Sequence, residues 1–347
     1  MKTNSLRAWL LAVRPYSFGA TSTPVFVASA LAWSDGSFHW LPALLCLLFA
    51  LLMQCTANLV NDLCDFQKGA DSPERLGPDR AFAKGYITLR AMKWGIAAFT
   101  VAGAAVGLTL LRYGGWELLL VGAACILFAY LYTAGPWPLA YHGLGDVAVV
   151  LFFGVVPVGF TYYILAHDWT WEVTLAGLAC GLVIDTMLMV NNFRDRVEDA
   201  ASGKRTIVVC LGAGVGRWGY LFLGTAATLL CLAFALFGRW YAALLPLLYW
   251  VLFFFTWRKM DACSHAAERH PARREPDRIL TLFVVLVPGG LVLGGGRCRS
   301  RKGKRRTFAN EGVALPLYRH GAPAADRIPA VNRGRRQSRQ SGRRRRG

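Results

Sequence analysis

Four polar side chains close a long apolar run. Asn58, Asn61, Asp62 and Asp65 follow one another at i, i+3, i+4 and i+7, a spacing that puts all four on one face of a helix with the two carboxylates about one turn apart. Such an edge suits a divalent cation. The run before it, Leu41 to Val60, is long and apolar enough to cross a bilayer, where carboxylates are costly unless a cation or a partner neutralises them. A second stretch answers the first: in Asn191-Asn-Phe-Arg-Asp-Arg-Val-Glu-Asp199, residues Asn192, Asp195 and Asp199 fall at i, i+3 and i+7 at the end of another apolar run. Two such stripes, each ending a membrane helix, could hold two divalent ions between them. Gln54 extends the first stripe one turn deeper, and Asp185 extends the second.

Basic residues and glycines follow each stripe: Lys68-Gly69, Arg80 and Lys84-Gly85 after the first, Gly203-Lys204-Arg205-Thr206 after the second. Carboxylates alone would repel an anion, and cations alone would not position a metal. Together they fit a diphosphate, because Mg²⁺ prefers oxygen ligands and commonly bridges one or two carboxylates to phosphate oxygens while Lys and Arg take the remaining charge. The bland alternative is a set of solvated helix ends with ordinary interfacial ion pairs. It accounts for any single basic residue, since cytoplasmic loops are basic anyway. It accounts poorly for two same-sided, Asn-containing stripes. Asp185 has two equal readings, as a carboxylate bonded within the bundle or as a functional group.

The elements that must position these residues are membrane helices. The chain has 347 residues, 55% of them hydrophobic, with a mean hydropathy of +0.37, and lipid leaves only helices or closed barrels as spanning structures. The runs are too long for barrel strands. The sequence predicts an all-α, polytopic transmembrane bundle of about nine helices around a cavity open to the cytoplasmic face, with spans at about 16–33, 40–60, 91–111, 116–132, 147–166, 173–190, 218–237, 241–257 and 279–293. Loops after the second, sixth and eighth spans carry 5, 5 and 6 Lys/Arg, which places the N-terminus and both Asp stripes on the cytoplasmic side. The stripes follow spans four apart and hint at a duplicated four-helix unit.

Other signals exclude function classes. Nine cysteines are scattered singly, without a zinc or disulfide framework, and those inside apolar runs read as buried thiols. No HExxH, GxSxG or P-loop pattern is present. The formal charge of +19 suggests nucleic acid, but 17 Lys/Arg against two acids follow Gly296, so +15 of it belongs to the C-terminal segment. Residues 1–296 therefore form the membrane domain, and 297–347 a basic tail without apolar periodicity, expected to be disordered. After nine spans that tail would lie outside, against the charge rule. Either the ninth run, interrupted by Pro288-Gly-Gly290, does not span, or the tail is foreign text of the kind a shifted reading frame produces. No nucleic-acid partner is expected. Between the fourth and fifth runs, Tyr130-Leu-Tyr-Thr-Ala-Gly-Pro-Trp-Pro138 and Tyr141-His-Gly-Leu-Gly-Asp146 break helix and supply aromatics that could line a chamber, face a cation or simply form an interfacial belt.

These motifs resemble the UbiA superfamily of intramembrane aromatic prenyltransferases: N-D-x-x-D at Asn61, Asp62 and Asp65, and N-x-x-D-x-x-x-D at Asn192, Asp195 and Asp199. Asn58 to Asp71, Arg75-Leu-Gly-Pro78, Lys84-Gly85, Asn191 to Thr206, Ala8-Trp9 to Arg14-Pro15 and Leu144-Gly-Asp146 are similar to the branch of that superfamily that prenylates 1,4-dihydroxy-2-naphthoate in menaquinone synthesis. The resemblance covers about residues 5 to 285. It implies Mg²⁺ held by Asp62, Asp65, Asp195 and Asp199 with Asp71 as helper, and a polyprenyl diphosphate gripped by Asn58, Asn61, Lys68, Arg80, Lys84, Asn192, Lys204 and Arg205. Tyr132 and Tyr141 would face the allylic carbocation, and the aromatic acceptor would attack it with loss of CO₂. It further implies a multi-pass protein of the bacterial plasma (inner) membrane. Two rivals stand beside this reading: a UbiA-type enzyme for another acceptor such as 4-hydroxybenzoate, and a secondary transporter. Acids clustered at helix ends beside basic loops favour diphosphate chemistry over transport.

Overall fold

The computed structural model describes residues 1–71, 79–265, 282–283 and 285–294, the side chains of 259–265 excepted. Described residues lie within one compact unit, Met1–Lys304. The basic tail, the Arg75-Leu-Gly-Pro78 stretch and most of the basic loop after the eighth predicted span lie outside the described residues.

Among the described residues every regular element is helical. A short amphipathic helix, α1 (Leu6–Val13), precedes α2 (Phe18–Asp35), α3 (Trp40–Gln67), α4 (Leu89–Gly114), α5 (Leu118–Leu131), α6 (Gly145–Ala166), α7 (Trp171–Ala201), α8 (Ala213–Phe237), α9 (Trp240–Arg258) and α10 (Val285–Gly294). Six of these, α3, α4, α6, α7, α8 and α9, are long and apolar enough to cross a membrane, whereas α5 and α10 are shorter apolar helices. The sequence assigned a span to each of these elements and to α2, which is 18 residues long with Pro24 inside it. The interruption expected at Pro288-Gly-Gly290 is absent, because α10 runs through it. Gly290 makes this possible: a Cβ there would stand 2.8 Å from the backbone of Tyr241 and Ala242, so the missing side chain lets α10 lie directly on α9.

Polar caps set the helix ends. The Thr88 and Thr170 hydroxyls accept from the N–H groups of Ala91 and Val173 at 3.3 and 3.4 Å, satisfying donors that a helix N-terminus leaves open. Helices α3 and α7 end alike. After α3 the N–H groups of Lys68, Gly69 and Ala70 return to the carbonyls of Cys64, Phe66 and Asp65; after α7 those of Ser202, Gly203 and Lys204 return to Glu198, Ala200 and Asp199. Gly69 and Gly203 take φ of +72° and +79°, the left-handed conformation such a cap requires. The pattern Asp-x-x-x-Gly thus ends both stripe-bearing helices in the same way.

The core centres on α7, which packs against α8 and the first half of α6. That half contains a π-helical turn, Leu151–Val155, and comes close to α7 at Gly154, Gly177 and Gly181. An added Cβ on Gly154 would lie 2.5 Å from the Gly177 carbonyl oxygen, and one on Gly181 would lie 2.6 Å from that of Val150. Close backbone approach of this kind stabilises helix pairs in lipid. Gly181→Ala is expected to cost about 1–3 kcal/mol by forcing the two backbones apart, read as a lower unfolding temperature in detergent; Gly122→Ala, with nothing within 4 Å, is the neutral control.

At the end of the bundle opposite the stripes, Arg239 is 3% exposed. Its Nη2 meets Asp35 Oδ1 at 2.9 Å and Glu172 Oε2 at 3.0 Å, and Nη1 donates to Ser34 Oγ. Tyr162 donates its hydroxyl to the other oxygen of Asp35 at 2.7 Å. Burial alone would lower the proton affinity of Arg239, but the two carboxylates raise it above the ordinary arginine value. One guanidinium therefore fastens the ends of α2 and α7 to the segment between α8 and α9, and Tyr162 of α6 joins through Asp35.

Candidate active site

The stripe on α3 faces inward, with Asn58, Asp62 and Asp65 at 6%, 0% and 1% exposure, and so does that on α7, with Asn192, Asp195 and Asp199 at 8%, 7% and 8%. Both sets sit toward the C-terminal ends of their helices, where the macrodipole is negative and disfavours carboxylates, and neither helix has a basic residue in its last turn. Cations from elsewhere supply the compensation. Arg14 Nη2 donates to Asn61 Oδ1 at 3.1 Å and Asp62 Oδ1 at 3.3 Å. Arg80 Nε stands 3.9 Å from Asp62 and 3.4 Å from Asp71, while the Phe82 N–H donates to Asp62 Oδ2 at 3.2 Å.

Lys204 joins the two stripes. Its Nζ lies 3.2 Å from Asp65 Oδ2 and 3.6 Å from Asp199 Oδ1, which brings carboxylates from α3 and α7 around one ammonium. Asn61 Nδ2 donates to the same Asp65 oxygen at 2.9 Å, and the Tyr141 hydroxyl donates to the other at 2.9 Å. The Tyr141 ring is flanked by two cations, Lys68 at 4.3 Å and Lys204 at 5.1 Å from its centroid, and its backbone carbonyl accepts from the Arg205 N–H at 3.1 Å. Burial, then the charge of Asp65, raises the Tyr141 phenol above its ordinary range, so it remains a hydrogen-bond donor.

Oxygen donors around exchangeable ammonium and guanidinium groups are the chemistry a hard divalent cation and an anionic phosphate share. Among the described residues no three acidic, His or Cys side chains converge as a ready-made cage. Magnesium commonly takes one or two carboxylates and completes its shell with water and substrate phosphate.

An apolar chamber of about 130 Å³ adjoins this polar end, between α2, α3, α4, α5 and α6, with Phe49, Met53, Phe128, Phe152 and Phe160 in its wall. Thr21, Gln54 and Thr161 are among its polar members. The Thr21 hydroxyl donates to Gln54 Oε1 at 2.8 Å, and Gln54 Nε2 donates to Asn58 Oδ1 at 3.1 Å. Hydrogen bonds therefore run unbroken from the chamber to the first stripe.

Residues 22–274 match the UbiA prenyltransferase family. The chain belongs to this family. It is 36% identical over 248 residues to the 1,4-dihydroxy-2-naphthoate octaprenyltransferase of Haemophilus influenzae, covering 68% of this chain and 79% of the relative. It is 38% identical over 244 residues to the enzyme of the same name from Escherichia coli (67% and 79%), and 31% over 297 residues to that from Mycobacterium leprae (84% and 98%). In fold it is similar to a UbiA homologue from Archaeoglobus fulgidus bound to GPP and Mg²⁺, with a TM-score of 0.60 at 16% identity over 84% of this chain and 99% of that one. An apo UbiA homologue from Aeropyrum pernix gives 0.61 at 15% identity, over 79% and 97%.

Within this UbiA-family chain the structure gathers most, but not all, of the residues read from sequence. Asn58, Asn61, Asp62, Asp65, Asp71, Lys68, Arg80, Tyr141, Asp199 and Lys204 share the network above. Asp195 is gripped by its neighbour Arg194 at 2.5 and 2.7 Å, and Asn192 is buried on the same face. Lys84 is exposed and pairs with Asp79 at 3.9 Å, away from the stripes, and the Arg205 side chain is exposed. Tyr132 packs against Phe128 with ring centroids 5.6 Å apart. Arg14, Thr21 and Ser17, whose hydroxyl oxygen accepts from Gln54 Nε2 at 3.2 Å and Asn58 Nδ2 at 3.1 Å, were not named as site residues from the sequence. Arg14 adopts φ +57°, ψ +66°, a strained conformation for a non-glycine residue that turns its side chain to Asn61 and Asp62; its place just before the first apolar run was the available signal.

Burial lowers the proton affinity of Lys68, whose Nζ donates to the Thr133 carbonyl at 2.8 Å. Its charge is therefore lost at lower pH than that of an ordinary lysine. Binding of inorganic diphosphate is expected to weaken as pH rises through that lowered value, and Lys68→Gln is expected to flatten this alkaline limb; titration calorimetry across pH measures both.

Proposed function

We propose that this chain transfers a polyprenyl group from polyprenyl diphosphate to 1,4-dihydroxy-2-naphthoate, releasing CO₂ and diphosphate and giving demethylmenaquinol, the hydroquinone of demethylmenaquinone. The observation that carries the reading is the bridge Asp65–Lys204–Asp199, which draws two acidic stripes into one diphosphate-sized site in a chain whose relatives are named 1,4-dihydroxy-2-naphthoate octaprenyltransferases. Magnesium, held by Asp62, Asp65, Asp195 and Asp199 with Asp71 in support, supplies charge neutralisation at the leaving diphosphate.

The chain's own residues do the rest. Arg14, Arg80 and Lys204 exchange their carboxylate partners, and Lys68 its Thr133 carbonyl, for phosphate oxygens when the diphosphate enters, and Asn58, Asn61 and Asn192 orient it. Arg205 and Lys84 act at the rim, from their exposed positions. The prenyl tail leaves the polar end past Gln54 into the apolar chamber, where aromatic walls exclude water from the allylic centre as the C–O bond ionises. Tyr132 and Tyr141 present ring faces and hydroxyls to the positive charge. The naphthoate ring carbon bearing the carboxylate attacks, the C–CO₂ bond breaks, and its electron pair restores aromaticity.

Nine membrane helices, α2 to α10, surround this cavity, which opens on the cytoplasmic face of the bacterial inner membrane with the N-terminus on the same side. The basic loops beside both stripes support that orientation. A transporter is disfavoured, since the acids sit at helix ends against phosphate-binding cations rather than at broken helices at the midplane. Membranes containing the chain, given polyprenyl diphosphate and magnesium, are expected to convert 1,4-dihydroxy-2-naphthoate to a prenylated, decarboxylated hydroquinone, read by mass spectrometry as such or as its quinone after oxidation by air. Prenylation of 4-hydroxybenzoate alone would overturn the acceptor and keep the family chemistry.

A further inference from the structure

A second pair of buried acids lies beside the site without belonging to it. Asp146 opens α6 and Asp185 sits on α7 two turns before Asn192; they are 6% and 2% exposed. Both carboxylate oxygens of Asp146 and Oδ1 of Asp185 lack a hydrogen-bond partner from any other described residue. The two are near enough to repel one another electrostatically. They are enclosed where α6 and α7 approach most closely, through Gly154, Gly177 and Gly181, next to the π-helical turn Leu151–Val155.

Tyr132 connects this pair to the diphosphate end. Its hydroxyl lies 3.5 Å from the point a Cβ on Gly145 would occupy, and it stands in the field of Asp146 first, then Asp185, Asp65 and Asp199. Phe128, beside Tyr132, is stacked on Phe152 at 4.0 Å, and both rings line the apolar chamber. The ring contact between Tyr132 and Phe128 therefore links the surroundings of the acids to the chamber wall.

Buried carboxylate oxygens without donors are strongly unfavourable, and a pair serving packing alone is commonly replaced by apolar residues without loss. What the oxygens lack is hydrogen-bond donors on a flat apolar ligand that fits between aromatic rings. We propose that Asp146 and Asp185 bind the aromatic acceptor by accepting hydrogen bonds from its ring hydroxyls, with Tyr132 packed beside the ring. This rests on the function proposed above. A hydroxyl held by a carboxylate donates more electron density to the ring, so the contact orients the acceptor and strengthens its attack together.

The test compares wild type, Asp185→Leu and the isosteric Asp146→Asn for their KM values, using 1,4-dihydroxy-2-naphthoate and its mono-O-methyl ethers as acceptors. Magnesium-dependent polyprenyl diphosphate binding certifies that each variant is folded. The acceptor KM is expected to rise about 10–100-fold at unchanged diphosphate KM, and the wild-type preference for hydroxyl over methyl ether is expected to disappear. An unchanged acceptor KM and preference in folded Asp185→Leu or Asp146→Asn, or equal rises in both KM values, would overturn the inference. Should wild type prenylate only 4-hydroxybenzoate, the function proposed above fails, and the same comparison with 4-hydroxybenzoate and 4-methoxybenzoate still decides the role of the pair.

Discussion

Asp62→Asn and Asp195→Asn are each expected to lower prenyl transfer by about 10²–10³-fold, mostly in kcat. Asp62 is fully buried and receives the Arg14 and Arg80 guanidinium groups and the Phe82 N–H, so its carboxylate is pre-aimed rather than solvated. Asparagine keeps the shape and removes the charge. Diphosphate alone still binds, because Arg14 and Arg80 then lack a competing anion, but a divalent cation loses an oxygen of full charge. The expected signature is a higher magnesium requirement together with intact or tighter metal-free diphosphate binding. Asp195 belongs to the other stripe, and its variant is expected to show the same signature. Measuring rate against magnesium concentration, with calorimetry for the metal-free diphosphate, checks both. Rates within a few-fold of wild type in either variant would remove that carboxylate from the chemistry.

Arg239→Met is expected to destabilise the protein by about 3–5 kcal/mol while leaving the KM values of the surviving folded molecules unchanged. Removing the guanidinium takes the positive charge away from Asp35 and Glu172 in a place where only 3% of Arg239 itself reaches solvent, and breaking a buried pair from one side is more costly than its absence. The lost contacts tie α2, α7 and the segment before α9 at the end remote from both stripes. The effect is therefore expected in thermal unfolding and not in the acceptor or diphosphate affinity. Adding Glu172→Gln to Arg239→Met removes one of the stranded charges and is expected to recover part of the stability. A variant that unfolds at the wild-type temperature would show that the network is solvated in the membrane.

The acidic stripes were legible because helical periodicity makes a one-dimensional spacing into a three-dimensional face. Asn58, Asn61, Asp62 and Asp65 could be placed on one inward edge without knowing what they touch, and the same held for Asn192, Asp195 and Asp199. Apolar run length fixed the class of fold for a similar reason: lipid permits so few solutions that hydropathy alone nearly determines them. The resemblance to UbiA prenyltransferases followed from these same residues, and the family match confirms it.

Contacts between distant parts of the chain obey no such periodicity. Nothing in the sequence distinguishes Lys204, which bridges the stripes, from Arg205 beside it, whose side chain is exposed; the turn at Gly203 decides which one faces inward. Arg14 reaches Asp62 only because its backbone takes a left-handed conformation that an arginine rarely adopts. Arg239 reads as a stray charge in a sparse loop until folding places Asp35 and Glu172 on either side of it. Asp146 and Asp185 become one pair only where glycines let α6 and α7 touch. The sequence by itself determined a helical membrane protein carrying two acidic, diphosphate-suited edges, since those follow from local geometry and solvent. The tertiary structure alone decided which cations meet which acids and which acids are left without donors, because those depend on how separate helices pack.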